Sequence, residues 1–380
     1  MADPGARRSG TGAVDFDLHG LAGIRLLDAS PGDAAAVRRQ LGPIEAPLEG
    51  APDLVIRFVD RLRTAGRLRY LGLGEAAFSD DAFLVLRSRH KAPARVRIPL
   101  ELVGGPCEIV CERGLPAVPL LIPILNLTVL AKGALPLHAA AFDYNGTGVV
   151  TTGWSKGGKT ETLLAFMAAG ATYIGDEWVY VSGDGRRIHG IPEPIRLWDW
   201  HLAQLPERRR GIGLGDRARL RAIALARGLH GATPRALRQG TAPGRALGRL
   251  MPVLERQAHV DVAPVRLFGD RAIRPSGSFD RLFFVVSADR PDVHVEPVDP
   301  TDVARRMVFS LQHERLDFLA RYLEYRFAFP GAANPLIEQA AELELQALLR
   351  VLAGKPTYLV EHPYPVRIAS LFEALGPLCR

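Results

Sequence analysis

The first third of the chain reads as short strands. Residues 53–59, 82–87 and 95–100 are compact apolar runs closed off by charged or turn-forming residues, and 32–41 offers one helix among them. From about Leu135 the pattern changes to strand, turn, strand, Gly-rich loop, helix, strand. Residues 149–152 form the strand ahead of the loop. Residues 159–169 form the helix behind it, with Leu163, Leu164, Phe166 and Met167 apolar and Gly170 as the stop. Farther on, 281–287 reads as a buried strand, and 300–325 and 335–352 as amphipathic helices. No internal repeat interrupts this order. The expected fold class is α+β / α/β: a mobile tail (1–14), a small N-terminal α+β domain (15–130), and a second domain (131–380) with a mixed sheet and C-terminal helices.

Composition narrows the class. The 380 residues suffice for roughly two domains, and 47% hydrophobic with 23% charged residues excludes a disordered, collagen-like or coiled-coil chain. The three cysteines, Cys107, Cys111 and Cys379, are an odd number, which argues against a disulfide-stapled secreted fold. No second Cys or His pair stands near Cys107 and Cys111 at zinc spacing, so these two read as residues of one buried strand. Residues 1–14 lack the apolar stretch of a signal peptide. The most apolar segment, 117–131, carries Pro119, Pro123, Asn126 and Thr128 and falls short of the roughly 20 residues that span a membrane. A soluble, cytoplasmic protein without a membrane partner is the expectation.

The net charge of +7 belongs to one segment. Residues 207–256 hold twelve arginines and three acids, a local +9 that leaves the rest of the chain at −2. Arg208, Arg209, Arg210, Arg217, Arg219 and Arg221 are spaced to wrap a helix instead of lining one face. A solvated helical insertion and a docking surface for an acidic partner, peptide or nucleic acid, both fit this pattern. No aromatic residue interleaves with these arginines, which weighs against single-stranded nucleic acid.

The Gly-rich loop carries the chemistry. Gly153, Trp154, Ser155, Lys156, Gly157, Gly158, Lys159 and Thr160 satisfy the spacing of a phosphate-binding loop, in which backbone N–H groups and a helix N-terminus cradle a nucleotide's phosphates. Only five of the 48 basic residues are lysines, and two of them, Lys156 and Lys159, sit here. In this reading the loop with Glu161 binds ATP, Lys159 neutralises the β- and γ-phosphates, and the Thr160 hydroxyl holds Mg²⁺. Asp176 and Glu177 follow at the next strand, where carboxylates can hold Mg²⁺ and accept a proton from an attacking hydroxyl. Because neighbours on a strand face opposite ways, at most one is expected to face the phosphates, and Asp176 is the better candidate. If Asn145-Gly146 is a two-residue turn, His138 falls opposite Gly153, beside the loop; a structural histidine is the alternative.

These spacings resemble the C-terminal catalytic domain of HPr kinase/phosphorylase and its HPr-kinase-like relatives. The resemblance rests on a His fifteen residues before the first loop glycine (His138, Gly153), on Gly158-Lys159-Thr160-Glu161-Thr162, and on a carboxylate pair at Asp176 and Glu177. It covers about 135–196 well. It implies a nucleotide-binding core similar to that of phosphoenolpyruvate carboxykinases, ATP and Mg²⁺ as cofactors, transfer of the γ-phosphoryl group to a serine-type hydroxyl, and the first carboxylate as base. Because the family often forms rings, it also implies a homo-oligomer. The chain departs in having Asp-Glu for the family's Asp-Asp, and Trp154-Ser155-Lys156 where Asp-Ser-Gly is usual. In place of the later Arg-Gly-rich signature stands 191–200, with Arg196 open to a phosphate-binding or a salt-bridge role. These departures favour a one-way kinase acting on a peptide, protein or small metabolite.

Two other classes stay open on the residues alone. One is a nucleotide-regulated binding module or ATPase switch docking a partner through 207–256; the other is a carboxykinase-like enzyme. Two clusters are unassigned: Gln312-His313-Glu314-Arg315, where His313 and Glu314 read as a solvated helix face, and Glu361 to Pro365, read as extended with Tyr364 packed inward.

Overall fold

The computed structural model describes residues 13–72, 75–87, 93–232 and 241–379. The chain is a mixed α/β protein built on two sheets. The first takes β1 (Val14–Leu18), β2 (Ala22–Leu27), β3 (Leu54–Val59), β4 (Arg69–Leu71), β5 (Ala76–Phe78), β6 (Phe83–Arg87), β7 (Pro93–Arg97) and β8 (Cys107–Glu112) in the order 1-2-3-8-7-6-5-4. β1 begins at Val14, inside the expected tail; residues 1–12 of that tail lie outside the described residues. β2 and β3 alternate buried and half-buried positions, the period of a strand with one face on a core. Between these parallel strands lies α1 (Pro31–Leu41). Its start is set by a reciprocal cap, Ser30 N–H donating to Asp33 Oδ2 (3.0 Å) and Asp33 N–H to Ser30 Oγ (3.2 Å). Cys107 and Cys111 are both buried on β8, and burial pushes the Cys107 thiol up to about 12.

α2 (Leu121–Ala131) joins the sheets. It is helical despite Pro123 because a proline in the first turn interrupts no intrahelical bond. Its polar residues are satisfied internally: Thr128 Oγ1 donates to Ile124 O (2.9 Å), and Asn126 Oδ1 accepts from the Tyr180 hydroxyl (3.0 Å). Among the described residues no helix is long and apolar enough to cross a membrane.

The second sheet begins with the hairpin β9 (Leu135–Tyr144) and β10 (Thr147–Gly153). Then follow α3 (Lys159–Ala168), β11 (Thr172–Gly175), β12 (Trp178–Val181) and β13 (Arg187–Gly190). A separate ribbon, β14 (Ile195–Trp198) with β15 (His259–Val262), carries α4 (Asp199–Gln204), α5 (Leu214–Ala232) and α6 (Ala242–Arg256) between its strands. After α7 (Pro264–Phe268) come β16 (Ser276–Ser278), β17 (Arg281–Ser287) and β18 (His294–Pro297). Three helices, α8 (Pro300–Glu314), α9 (Leu316–Ala328) and α10 (Pro335–Leu352), precede β19 (Thr357–His362) and α11 (Ile368–Leu375). The strand order is 16-13-12-9-10-17-19-18, with β11 beside the outer end of β9. One apolar core runs from the first sheet through α2 to the face covered by α8, α9 and α10. A second fills the opposite face around α3 and α11. β9, buried from Leu135 through Phe142, lies between them.

The arginine-rich insertion is helical where described, and many of its arginines have local work. Arg208 donates to Met167 O (3.2 Å) near the C-terminus of α3 and to Leu267 O (2.8 Å). Arg217 binds Ile212 O (3.0 Å), and Arg219 binds Gln257 O (3.0 Å) and His259 O (2.9 Å). Guanidinium groups at such carbonyls satisfy acceptors that a helix end leaves open.

The single helix expected over 300–325 is instead α8 and α9. Between them Arg315 turns inward to a buried ion pair with Glu344 of α10, donating from Nη2 at 3.0 Å as well as from Nη1. A buried pair loses most when one partner is removed, because the other charge is stranded. Glu344→Ala is expected to lower the unfolding free energy by about 3–5 kcal/mol in urea denaturation. The double replacement Arg315→Met with Glu344→Leu is expected to recover most of that loss.

Candidate functional site: a phosphate-binding loop with a carboxylate cluster

The hairpin sets the site's geometry. Asn145 and Gly146 both have positive φ (55° and 82°), the conformation of a two-residue turn that matches strand twist. Tyr144 therefore pairs with Thr147 and Ala139 with Thr152, so the next residue outward, His138, stands level with Gly153. Thr152 Oγ1 donates to His138 O (3.2 Å), tying the two strand ends together. β10, β17 and β19 run parallel, and their C-terminal ends meet where Gly153 pairs with Val285 and Ser287 with His362. The loop lies across those ends, the usual position of a ligand crevice in such sheets.

Glycine is required where the loop presses on its support. Gly158 has φ +109°, and a Cβ there would stand 2.2 Å from His362 Nε2. That nitrogen is 2.8 Å from Gly157 O, so His362, fully buried at the end of β19, props the loop from below. A Cβ on Gly153 would meet Val285 O at 2.3 Å. Gly157 N–H bonds to Trp154 O (3.0 Å), and the first helical bond of α3 runs from Thr162 N–H to Gly158 O. The N–H groups of the first turn are thus not used within the helix and point toward the loop's concave side.

Lys159, 6% exposed, donates to Gly153 O (3.3 Å) and Trp154 O (3.0 Å). Burial pulls its pKa down, against the charges of Glu177, Asp176, Glu314 and Glu161, which favour the ammonium. Thr160 Oγ1 donates to Asp176 Oδ2 (3.1 Å). Asp176 is buried, and burial together with the charge of Glu177 pushes its pKa up to about 7. Glu177 accepts from His138 Nε2 (3.1 Å), and this bond holds its carboxyl below the ordinary range. For His138 burial opposes the proton, yet the carboxylates of Glu177 and Glu314 prevail and raise its pKa. Glu314 Oε1 lies 2.8 Å from His138 Nδ1, and the Trp178 ring centroid is 5.7 Å from that of His138.

Asp176 and Glu177 do not lie on a continuous strand: they fall between β11 and β12, where Glu177 has φ +68°. Asp176 is buried, whereas the Glu177 side chain is half exposed. The register slips ahead of this link, and Ala139 N–H donates to Glu177 O (3.1 Å). Strand alternation does not operate across such a kink, so Asp176 turns to Thr160 while Glu177 turns to His138.

The other loop residues divide by exposure. Trp154 is 52% exposed and stacks on His313 (4.8 Å, 27°); Ser155 is half-buried, and Lys156 is exposed with φ +62°. Glu161 is buried and accepts from His201 Nε2 of α4 (3.0 Å); burial raises its pKa, but the bond and charge of His201 together with its own backbone N–H lower it overall. Arg196 makes a two-point ion pair with Asp261 across the ribbon (2.9 and 3.2 Å), the salt-bridge alternative. Tyr364 is largely exposed, edge-on to Trp200 at 5.9 Å, and is not packed inward.

Of the pair read as a solvated helix face, His313 is exposed, but Glu314 is turned to His138, which corrects the reading for Glu314. Glu314 continues the buried stripe Val303, Met307, Leu311 of α8, and a carboxylate at that spacing was the signal that it meets a partner inside. His362 gave no comparable signal.

The residues present fit a nucleotide with a hard cation. Thr160 and Asp176 offer adjacent oxygen donors, and the helix start offers N–H groups. Among the described residues no group of three or more His, Cys, Asp or Glu is arranged to hold a metal ion. Mg²⁺ in phosphate sites takes one or two protein oxygens plus phosphate and water. Against protein-family models and curated proteins the chain finds no match.

A carboxyl whose folded pKa is raised from 3.8 to about 7 weakens the fold as pH climbs through that interval. The penalty is absent below the unfolded value and complete above the folded one. Asp176→Asn removes it, so in the nucleotide- and metal-free protein the variant's melting temperature is expected to gain on wild type between pH 5 and pH 8. Melting curves with a pH-independent gap would contradict the burial of Asp176 as an acid.

Proposed function

We propose that the chain is an ATP- and Mg²⁺-dependent phosphotransferase that moves the γ-phosphoryl group to a hydroxyl on a peptide, protein or small metabolite, working in the cytoplasm where ATP is supplied. The observation that carries this is the placement of Asp176, a buried carboxylate bonded to Thr160 at the helix start and set close to the buried Lys159. A carboxylate next to a phosphate cradle suits proton removal from an alcohol.

In this reading the first-turn N–H groups of α3 and Lys159 hold the phosphates, Lys159 giving up its bonds to Gly153 O and Trp154 O as they arrive. Mg²⁺, when bound at Thr160 and Asp176 with Glu177 close by, supplies neutralisation of charge on the β- and γ-oxygens. Asp176 takes the hydroxyl proton, and His138 keeps Glu177 oriented and ionised. The protein thereby contributes position and field more than covalent chemistry.

One observation favours a second reading, a nucleotide-regulated docking module. Leu225, Leu229, Leu250 and Val253 are exposed on the arginine-rich helices α5 and α6, and the His201–Glu161 bond ties α4, which leads into the insertion, to the loop helix. Incubation with γ-labelled ATP and Mg²⁺, with and without fractionated cell extract, separates the two. Transfer of label to an acceptor is expected from wild type. Lys159→Ala is expected to abolish it, and Asp176→Asn to lower it by about 10²-fold or more while retaining ATP binding. Label released only as free phosphate, with partner binding that depends on ATP, would establish the second reading instead.

A further inference from the structure

The solvent side of a surface helix is ordinarily polar, and α5 and α6 both depart from that rule. Leu220 and Ile223 of α5 and Met251 of α6 turn inward, and the two helices pack on each other. On the outer side α5 shows Leu214, Ala218 and Leu225 at helical spacing, and α6 shows Ala246, Leu250 and Val253. Leu214, Leu225, Leu250 and Val253 are all at least half exposed.

Charge stands beside these stripes. By helical spacing Arg245, Arg249 and Arg256 all fall on one flank of the α6 stripe, and Arg221 falls on the α5 stripe between Ala218 and Leu225. Arg221, Arg249 and Arg256 are exposed, and among the described residues their guanidinium groups meet no carboxylate or carbonyl. Arg217, Arg219 and Arg227 differ, because each binds a carbonyl or a carboxylate of the fold. The helices' own acids do not answer the exposed arginines: Asp216 pairs with Arg219, and Glu255 lies one turn after Met251, off the stripe. Apolar area in water next to cations of this kind is matched by a partner that brings both apolar side chains and acids. A nucleic-acid backbone brings the charge without the apolar surface. A flat anionic membrane calls for cations on both sides of the apolar face, and α6 has them on one. A second copy would bring the same arginines, and the segments of the chain outside the described residues hold a single acid, Asp3, among mainly basic charges.

We propose that the outer face of α5 and α6 binds an amphipathic helix of a partner protein, one with leucine-type side chains on its inner stripe and Asp or Glu along a flank. The apolar stripe of that helix covers Leu225, Leu250 and Val253, and its carboxylates meet Arg221, Arg249 and Arg256. The inference rests on the docking reading above for the place of contact and adds the kind of partner. The contact itself requires no nucleotide, because none of these residues belongs to the phosphate loop.

The probe is a synthetic helix of about three heptads with a leucine stripe and glutamates along one flank, titrated calorimetrically into the full chain. A peptide of the same composition in scrambled order and one with Lys for every Glu serve as comparisons. Saturable binding of the acidic helix is expected, at least tenfold tighter than of either comparison and weaker at high salt. Arg249→Glu with Arg256→Glu is expected to weaken it at least tenfold and to make the Lys helix the better ligand, a reversal that a misfolded variant would not show. Leu250→Asp is expected to weaken both helices alike. No preference for the acidic helix over the scrambled peptide overturns the proposal. So does a reversed-charge variant that binds as wild type does. Phosphatidylserine vesicles or duplex DNA bound in place of the acidic helix, and lost in the same variants, would assign the face to a membrane or a nucleic acid instead. A dimer in sedimentation that Leu250→Asp dissolves would assign it to a second copy. Titrations repeated with ATP and Mg²⁺ separate the two claims: equal binding with and without them keeps this proposal and removes nucleotide regulation from the docking reading.

Discussion

A lysine ammonium held almost out of water must find negative charge or lose its proton, and Lys159 is held in this way at the first residue of α3. The surroundings answer that demand from several elements. Glu161 comes from its own helix, Asp176 and Glu177 from the link between two strands, and Glu314 from the end of α8. All four of these carboxylates are themselves restrained by a neighbour, Glu161 by His201. Thr160 binds Asp176, while His138 lies between Glu177 and Glu314. The cluster is a set of coupled charges whose protonation states depend on one another, and an arriving phosphate group would add to the same balance.

Strand register is what lets so many elements converge. The tight turn at Asn145 and Gly146 brings His138 level with Gly153, and β12 pairs back on β9 so that Trp178 lies opposite His138. A slip of one residue in either ladder would turn the imidazole to the other face of the sheet. The parallel strands β17 and β19 then bring His362 beneath the loop, where its ring fills the space that the missing Gly158 side chain leaves. Packing on both faces of β9 keeps this register from relaxing.

In the arginine-rich insertion part of the charge is used within the fold. Its excess charge first suggests an acidic partner, yet Arg208, Arg217 and Arg219 bind backbone carbonyls of the insertion and its surroundings. The apolar side chains exposed on α5 and α6, not the arginine count, are what keep a docking role in view.

Local pattern determined a good deal by itself. The loop spacing, the helix behind it, the turn at Asn145-Gly146 and thus the level of His138 follow from short-range rules, because turn geometry and helix capping act within a few residues. Long regular elements such as α10 and β17 were legible for the same reason, through the spacing of their apolar positions. Only the tertiary structure decided that Glu314 meets His138, that Arg315 breaks the long helix toward Glu344, that His362 supports the loop and that Asp176 turns to Thr160 while Glu177 turns to His138. These contacts join residues tens to hundreds of positions apart. Whether a charged side chain at such a position is solvated or buried depends on which element packs against it, and that is a property of the assembled core rather than of the neighbouring sequence.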